Sequence, residues 1–196
     1  MISAIILAAG ESKRMGQPKL LLTWGNATVL GQVISTYQSA GIEDVLVVTG
    51  GAHDQVSGIV NQHGARSIFN ENFSTGGMLS SLQRGLQLLL TEEDTVEASL
   101  VGLGDQPQVQ TGSVQLICRT FQDTGASLIV PSFQMRRGHP WLVKRLFWSE
   151  ILEMRSSQSP RDFLNKHASE IHYVEVSTSS ILADLDTPQD YQRSRP

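Results

Sequence analysis

Three short segments of this chain carry residue types suited to phosphate chemistry. The first reads Leu7-Ala8-Ala9-Gly10-Glu11-Ser12-Lys13-Arg14-Met15-Gly16-Gln17-Pro18-Lys19. Small residues at Ala8, Ala9 and Gly10 let backbone N–H groups come close to a ligand, while Arg14 offers a planar fork and Lys19 a point charge for phosphate oxygens. It is not a Walker loop: five residues instead of four separate Gly10 from Gly16, and Gln17 stands where that motif requires Lys. Nor does it contain Gly-x-Gly-x-x-Gly, so ATPase and dehydrogenase readings lose their main support. The competing reading is an ordinary strand-to-helix turn with solvated cations.

The second segment, Leu103-Gly104-Asp105-Gln106-Pro107, places an acid between a glycine and a chain-redirecting proline. Mg²⁺ prefers one or two carboxylates completed by phosphate oxygens and water, which makes Asp105 the leading metal ligand; the alternative is an acid that caps the next helix. The third is Leu182-Ala183-Asp184-Leu185-Asp186-Thr187-Pro188-Gln189-Asp190. If a strand continues that far, alternation puts Asp184 and Asp186 on one side, while Asp190 reads as first-turn helix charge.

Something must hold these segments together. Apolar β-branched or Leu-rich runs at Ile2 to Ala8, Asp44 to Thr49, Ala65 to Phe69, Ala98 to Leu103, Ser127 to Pro131 and Ile171 to Val176 read as buried strands. Between them, Leu30, Val33, Ile34 and Tyr37, then Leu79, Leu82, Leu86 and Leu89, then Val114, Ile117, Cys118 and Phe121 repeat at helical spacing. Alternating strand and helix predict an α/β/α three-layer fold with a mainly parallel, Rossmann-like sheet. Ser159-Pro160-Arg161-Asp162 and Thr187-Pro188-Gln189-Asp190 each combine a cap, a proline and an acid at a helix start. Ligands of such sheets bind outside the carboxyl ends of the strands, which is where the first two segments fall.

Composition limits the function classes. With 196 residues, 40% apolar and 17% charged, the chain suits one compact domain over 1–196 and excludes disorder. Fifteen Lys+Arg against nineteen Asp+Glu leave a net charge of −4, so the protein as a whole does not attract nucleic acid or anionic lipid. The lone Cys118 excludes an internal disulfide and a multi-cysteine zinc cluster, and it reads as a core residue rather than a nucleophile. The apolar start lacks a positive residue before Lys13, and no run approaches the ~18 apolar residues of a membrane span, so a cytoplasmic protein is expected. His53, His63, His167 and His172 share no ligand spacing and read as surface residues.

Leu-Ala-Ala-Gly-x-Ser-x-Arg-Met-Gly-x-x-Lys, across the thirteen positions Leu7 to Lys19, resembles the signature loop of GT-A-like nucleotidyltransferases, particularly the molybdenum cofactor cytidylyltransferase branch. The likeness extends through Gly104-Asp105-Gln106-Pro107 and Asp186-Thr187-Pro188-Gln189-Asp190, in family order. It implies CMP transfer from CTP to the phosphate of a molybdenum-loaded molybdopterin, with Mg²⁺ on Asp105 and Asp186 and with Asp184 in support. Leu7, Ala8, Ala9 and Gly10 would hold base and ribose, and Arg14 and Lys19 the triphosphate. The stretch from Ser74 to Leu82 resembles the family's base-recognising segment, which assigns Gly76, Gly77 and Ser81 to the nucleotide. Gly138-His139-Pro140 resembles an element lining the acceptor pocket, where Arg136 and Arg137 would meet the acceptor's phosphate. A molybdoenzyme or its chaperone would receive the product. Alternatives are guanylyl transfer to the same pterin, cytidylyl transfer to another phosphorylated molecule, or a nucleotide-binding delivery module without turnover. Two metal carboxylates beside two phosphate-binding cations favour an enzyme.

Overall fold

The computed structural model describes residues 1–91 and 95–196. Its strands are β1 (Ile2–Ala8), β2 (Thr23–Trp24), β3 (Ala27–Thr28), β4 (Asp44–Thr49), β5 (Arg66–Phe69), β6 (Ala98–Leu103), β7 (Leu128–Phe133), β8 (Arg136–Arg137), β9 (Trp141–Lys144) and β10 (His172–Glu175). The helices are α1 (Val29–Ser39), α2 (His53–Gln62), α3 (Gly77–Thr91), α4 (Thr111–Thr124), α5 (Trp148–Glu153), α6 (Pro160–Lys166) and α7 (Pro188–Ser194). One sheet runs in the order β10-β7-β9-β6-β1-β4-β5, with β8 paired to β7, and β2 and β3 form a small separate hairpin.

β1 lies at the middle and is paired in parallel on both sides, to β4 and to β6. Being covered on both faces, it is apolar except for the buried Ser3. Ala4, Ile6 and Ala8 face the layer of α1, α2 and α4, while Ile5 faces α3, α5 and α6. The helical stripes read from the sequence do what their spacing requires: Leu30, Val33, Ile34 and Tyr37 pack on the first face, and Leu79, Leu82, Leu86 and Leu89 on the second. The result is the expected three-layer α/β/α fold. Both late helix starts are reciprocal capping boxes, Ser159 with Asp162 and Thr187 with Asp190. Among the described residues no helix is long and apolar enough to cross a membrane.

Two elements depart from the sequence reading. β9 enters between β6 and β7 and is antiparallel to both, so the sheet is mixed. Its four residues bury Trp141 and Val143 on one face and Leu142 on the other, and so short a run without polar alternation gives no strand signature. The acids at 184 and 186 do not lie on a strand. β10 ends at Glu175, and the chain then makes a 3₁₀ turn over Ser179–Leu182. From there it is held by side-on contacts instead of a ladder, His139 N–H to the Ile181 carbonyl at 3.0 Å and Leu185 N–H to the Asp105 carbonyl at 3.2 Å.

Candidate active site

The loop leaving β1 is built to stay close to the sheet edge. Gly104 N–H donates to the Leu7 carbonyl at 3.0 Å, tying the end of β6 to the end of β1. A Cβ on Gly50, just after β4, would stand 2.3 Å from the Ala9 carbonyl oxygen, so only glycine lets the two strand ends approach this closely. Ser12 adopts a left-handed conformation, and its hydroxyl accepts from the Lys19 N–H at 3.2 Å, folding the loop back on itself. Buried Met15 and Leu20 anchor the fold-back, leaving Arg14 largely exposed and Lys19 mostly enclosed.

The enclosed Lys19 ammonium pairs with Asp105 and lies 3.5 Å from Asp186 Oδ1, and the Arg14 guanidinium is 3.1 Å from Asp186 Oδ2. Asp184 accepts from Gln106 Nε2 at 2.7 Å. Its carboxyl is raised above the usual aspartate range by partial desolvation against the cleft wall and by the charges of Asp105 and Asp186, against the opposing pull of Gln106 and Lys19. Two carboxylates converging on one cation form an oxygen donor set that fits a hard divalent ion. Among the described residues no group of three or more ligating side chains could hold a metal unaided, so phosphate oxygens and water would complete the coordination.

These groups line one cleft of about 410 Å³ together with Leu7, Ala8, Ala9 and Gly10. Its other wall is Phe73, Gly77, Met78 and Ser81 at the start of α3. Gly76 does not line the cleft; a Cβ there would fall 2.4 Å from the Ser80 side chain, which gives this glycine a packing role. Behind the wall stands Asn70, buried at 2% exposure, whose Nδ2 donates to Ser80 Oγ at 2.9 Å and to Ser81 Oγ at 3.0 Å. The sequence reading missed Asn70, Phe73 and Gln106, which carry no motif of their own and act only through what they touch.

A second cavity of about 760 Å³ adjoins the first and shares Met78, Leu103 and Asp184 with it. It is lined by Arg136, Arg137, Gly138 and His139, and also by Arg161 and Asn165 of α6, which the sequence did not single out. Pro140 is buried but does not line it. Arg137 is held in place, donating at 2.9 Å to both the Tyr173 hydroxyl and Asn165 Oδ1, with its guanidinium 5.6 Å from the Tyr173 ring centre. Burial pushes the His139 imidazole down to about 4, so it is neutral near pH 7. A Cβ on Gly138 would lie 2.5 Å from the Ile181 carbonyl, so this glycine lets the cavity wall rest against the segment leading to Asp184.

Three of the histidines expected at the surface are not there. His167 is only 9% exposed, because its ring packs between Phe147 and Phe163 while Nδ1 meets Glu170 at 2.6 Å and Nε2 meets Glu150 at 2.9 Å. His53 and His63 are half-buried, His53 at 2.7 Å from Thr49 Oγ1 and His63 at 3.4 Å from Ser35 Oγ. His172 is exposed. Cys118 is buried, and burial pushes its thiol up to about 11, which suits a core residue.

Residues 4–171 match the model of the MobA-like NTP transferase domain. The molybdenum cofactor cytidylyltransferase of Escherichia coli K12 is 27% identical over 191 residues, spanning 97% of this chain and 93% of that protein. The crystal structure of Rv0371c from Mycobacterium tuberculosis H37Rv superposes with a TM-score of 0.80 at 26% identity, over 98% of this chain and 96% of the other. A structure of Rv0371c in complex with manganese gives a TM-score of 0.75 at 24% identity, over 98% and 96%. The family model spans most of the chain, the β1-centred sheet and its basic loop included, and this chain belongs to the MobA-like NTP transferase family.

Proposed function

We propose that this protein is a cytidylyltransferase, one nucleotidyltransferase domain over 1–196 that moves CMP from CTP to the phosphate of a molybdenum-loaded, molybdopterin-type acceptor and releases pyrophosphate. The observation that carries the reading is the cluster of Lys19, Asp105 and Asp186 in a cleft that adjoins a second cavity through Asp184. A donor site and an acceptor site meeting at charged groups is what group transfer between two phosphorylated molecules requires. The full-length likeness to the Escherichia coli cytidylyltransferase supports cytidine and the pterin acceptor.

In this reading Leu7, Ala8, Ala9 and Gly10 hold base and ribose, with Gly77 and Ser81 also on the nucleoside side, and the cations of Arg14 and Lys19 hold the triphosphate. An oxygen of the acceptor phosphate, approaching from the cavity of Arg137, Gly138 and His139, attacks the α-phosphorus. The new O–P bond forms as the bond to the bridging oxygen of the β-phosphate breaks, and pyrophosphate departs with that electron pair beside Arg14 and Lys19. The attacking oxygen is already anionic, so no side chain need remove a proton. Positioning and charge neutralisation supply the acceleration. Asp105 and Asp186 would hold Mg²⁺, which when bound adds positive charge against the phosphates; the manganese complex of Rv0371c supports a divalent ion in this fold. A cytoplasmic setting, with a molybdoenzyme or its chaperone taking the product, completes the proposal.

The test is pyrophosphate release with CTP or GTP, with and without molybdopterin-type acceptor and Mg²⁺. Release with CTP that needs both acceptor and metal is expected. A preference for GTP would replace cytidylyl by guanylyl transfer, and nucleotide binding without turnover would make the protein a delivery module.

A further inference from the structure

Asn70 follows β5 directly and is anchored by its own N–H, which donates to the Thr49 carbonyl at 3.0 Å. Its side-chain oxygen accepts from the Asn72 N–H at 3.0 Å. That contact settles which way the amide faces, since the opposite orientation would set NH₂ against N–H. The two protons of Nδ2 therefore point at Ser80 Oγ and Ser81 Oγ, and both hydroxyls serve as acceptors. Ser80 passes its own proton to the Gly77 carbonyl at 3.0 Å. Ser81 differs: it is 4% exposed, lines the nucleotide cleft, and its O–H meets no acceptor among the described residues.

A buried hydroxyl that already accepts from an amide has its proton left to give, and a buried donor without a partner is costly. Gly77 and Met78 precede Ser81 in the first turns of α3, and they line the cleft with the uncharged Phe73, Ala8 and Ala9, whereas the charged lining groups gather around Lys19. Such surroundings suit a neutral heterocycle rather than phosphate. We propose that Asn70 is a positioning residue that fixes the polarity of the Ser81 hydroxyl, so that Ser81 donates to a lone pair on the nucleotide's base, a carbonyl oxygen or an unprotonated ring nitrogen. The inference rests on the nucleotidyltransferase reading of this cleft and adds to it a relay, Asn72 to Asn70 to Ser81 to base, in which each group sets the direction of the next. Cytosine offers two such lone-pair atoms side by side, its O2 and N3.

The relay is tested by a double-mutant cycle read as CTP affinity in the presence of Mg²⁺ and absence of acceptor, with inorganic tripolyphosphate as a second probe and thermal unfolding as a check on folding. Asn70→Asp keeps the shape and the bond from Asn72, but its carboxylate only accepts, so it draws the Ser81 proton away and turns a lone pair toward the base. The expected loss of CTP affinity is about tenfold or more, against a smaller loss for Asn70→Ala, which removes the constraint without reversing it. Tripolyphosphate affinity should not move in either variant. In a Ser81→Ala background the Asn70 substitutions should cost no more than about twofold further, because their effect passes through that hydroxyl. Undiminished CTP affinity in Asn70→Asp, an equal loss for tripolyphosphate, or an undiminished effect in the Ser81→Ala background would overturn the relay; if Asn70→Asp does not fold, Asn70→Ala alone and combined with Ser81→Ala decides the same question. Wild-type protein that binds neither CTP nor GTP would instead overturn the nucleotidyltransferase reading on which the relay stands.

Discussion

Leu185 donates its backbone N–H to the carbonyl oxygen of Asp105 at 3.2 Å, fastening the segment before α7 to the end of β6. Leu185 is fully buried, so the residues on either side of it, Asp184 and Asp186, both reach the cleft that Asp105 already lines. One backbone hydrogen bond and one apolar anchor thus gather three acids from two distant parts of the chain. Their mutual repulsion is offset by Lys19 and Arg14.

If Asp105 shares a divalent cation with Asp186, Asp105→Asn should lower turnover by ~10² or more, because a neutral amide neither holds the ion nor offsets charge developing on the phosphates. The side chain keeps its shape, so the unfolding temperature should change little. Pyrophosphate release at close to the wild-type rate from a folded variant would remove Asp105 from the mechanism.

Lys19→Ala should weaken CTP binding more than cytidine binding, since the ammonium is assigned to phosphate and lies among carboxylates rather than beside the base wall. Calorimetric titration with both ligands checks this. Equal losses would contradict the assignment.

Ala9 is buried at 6% exposure and lines the cleft, where under the proposed function its methyl group would narrow the approach of a base. Ala9→Gly should therefore reduce the preference for CTP over GTP. A methyl-sized difference is worth ~1–3 kcal/mol, or about 10- to 200-fold, so the change should narrow discrimination without inverting it. Turnover efficiency with each nucleotide gives the answer, and an unchanged ratio would deny Ala9 a part in base selection.

Both ring nitrogens of His167 face carboxylates, a geometry that only the imidazolium satisfies. Burial works against the charge, but the hydrogen bonds and charges of Glu170 and Glu150 win and raise the His167 pKa. A raised folded-state pKa means that this contribution to stability is complete below the ordinary histidine value of about 6.5 and is lost as pH rises through the raised value. Glu150 is shifted downward by Lys166 and then by His167, so its own contribution is present above the ordinary glutamate range and disappears only on acidification through the lowered value. Wild-type Tm should accordingly fall across the interval just above pH 6.5, and His167→Gln should flatten that part of the profile. Parallel profiles for the two proteins would show that His167 between Glu150 and Glu170 does not titrate there.

Much of this molecule is written in local pattern. The doubly covered apolar run of β1, the helical stripes of α1, α3 and α4, and the two capping boxes need only neighbours a few residues away, so periodicity and cap chemistry expose them directly. The same holds for the loop from Leu7 to Lys19, whose place at the carboxyl end of a central strand follows from the strand before it. What residue spacing alone could not contain is convergence. Lys19 meets partners 86 and 167 residues away, and the order of strands, not the spacing of residues, brings them together. β9 was invisible because a four-residue segment buried on both faces has no alternation to read. His167 read as a surface residue and Asn70 carried no signal at all until packing enclosed them, and a buried polar group acquires its role from the partners that satisfy it. Local chemistry therefore determined most of the elements and the loop from Leu7 to Lys19, while the tertiary structure alone decided which charges neutralise one another and which hydroxyl is left with a proton to give.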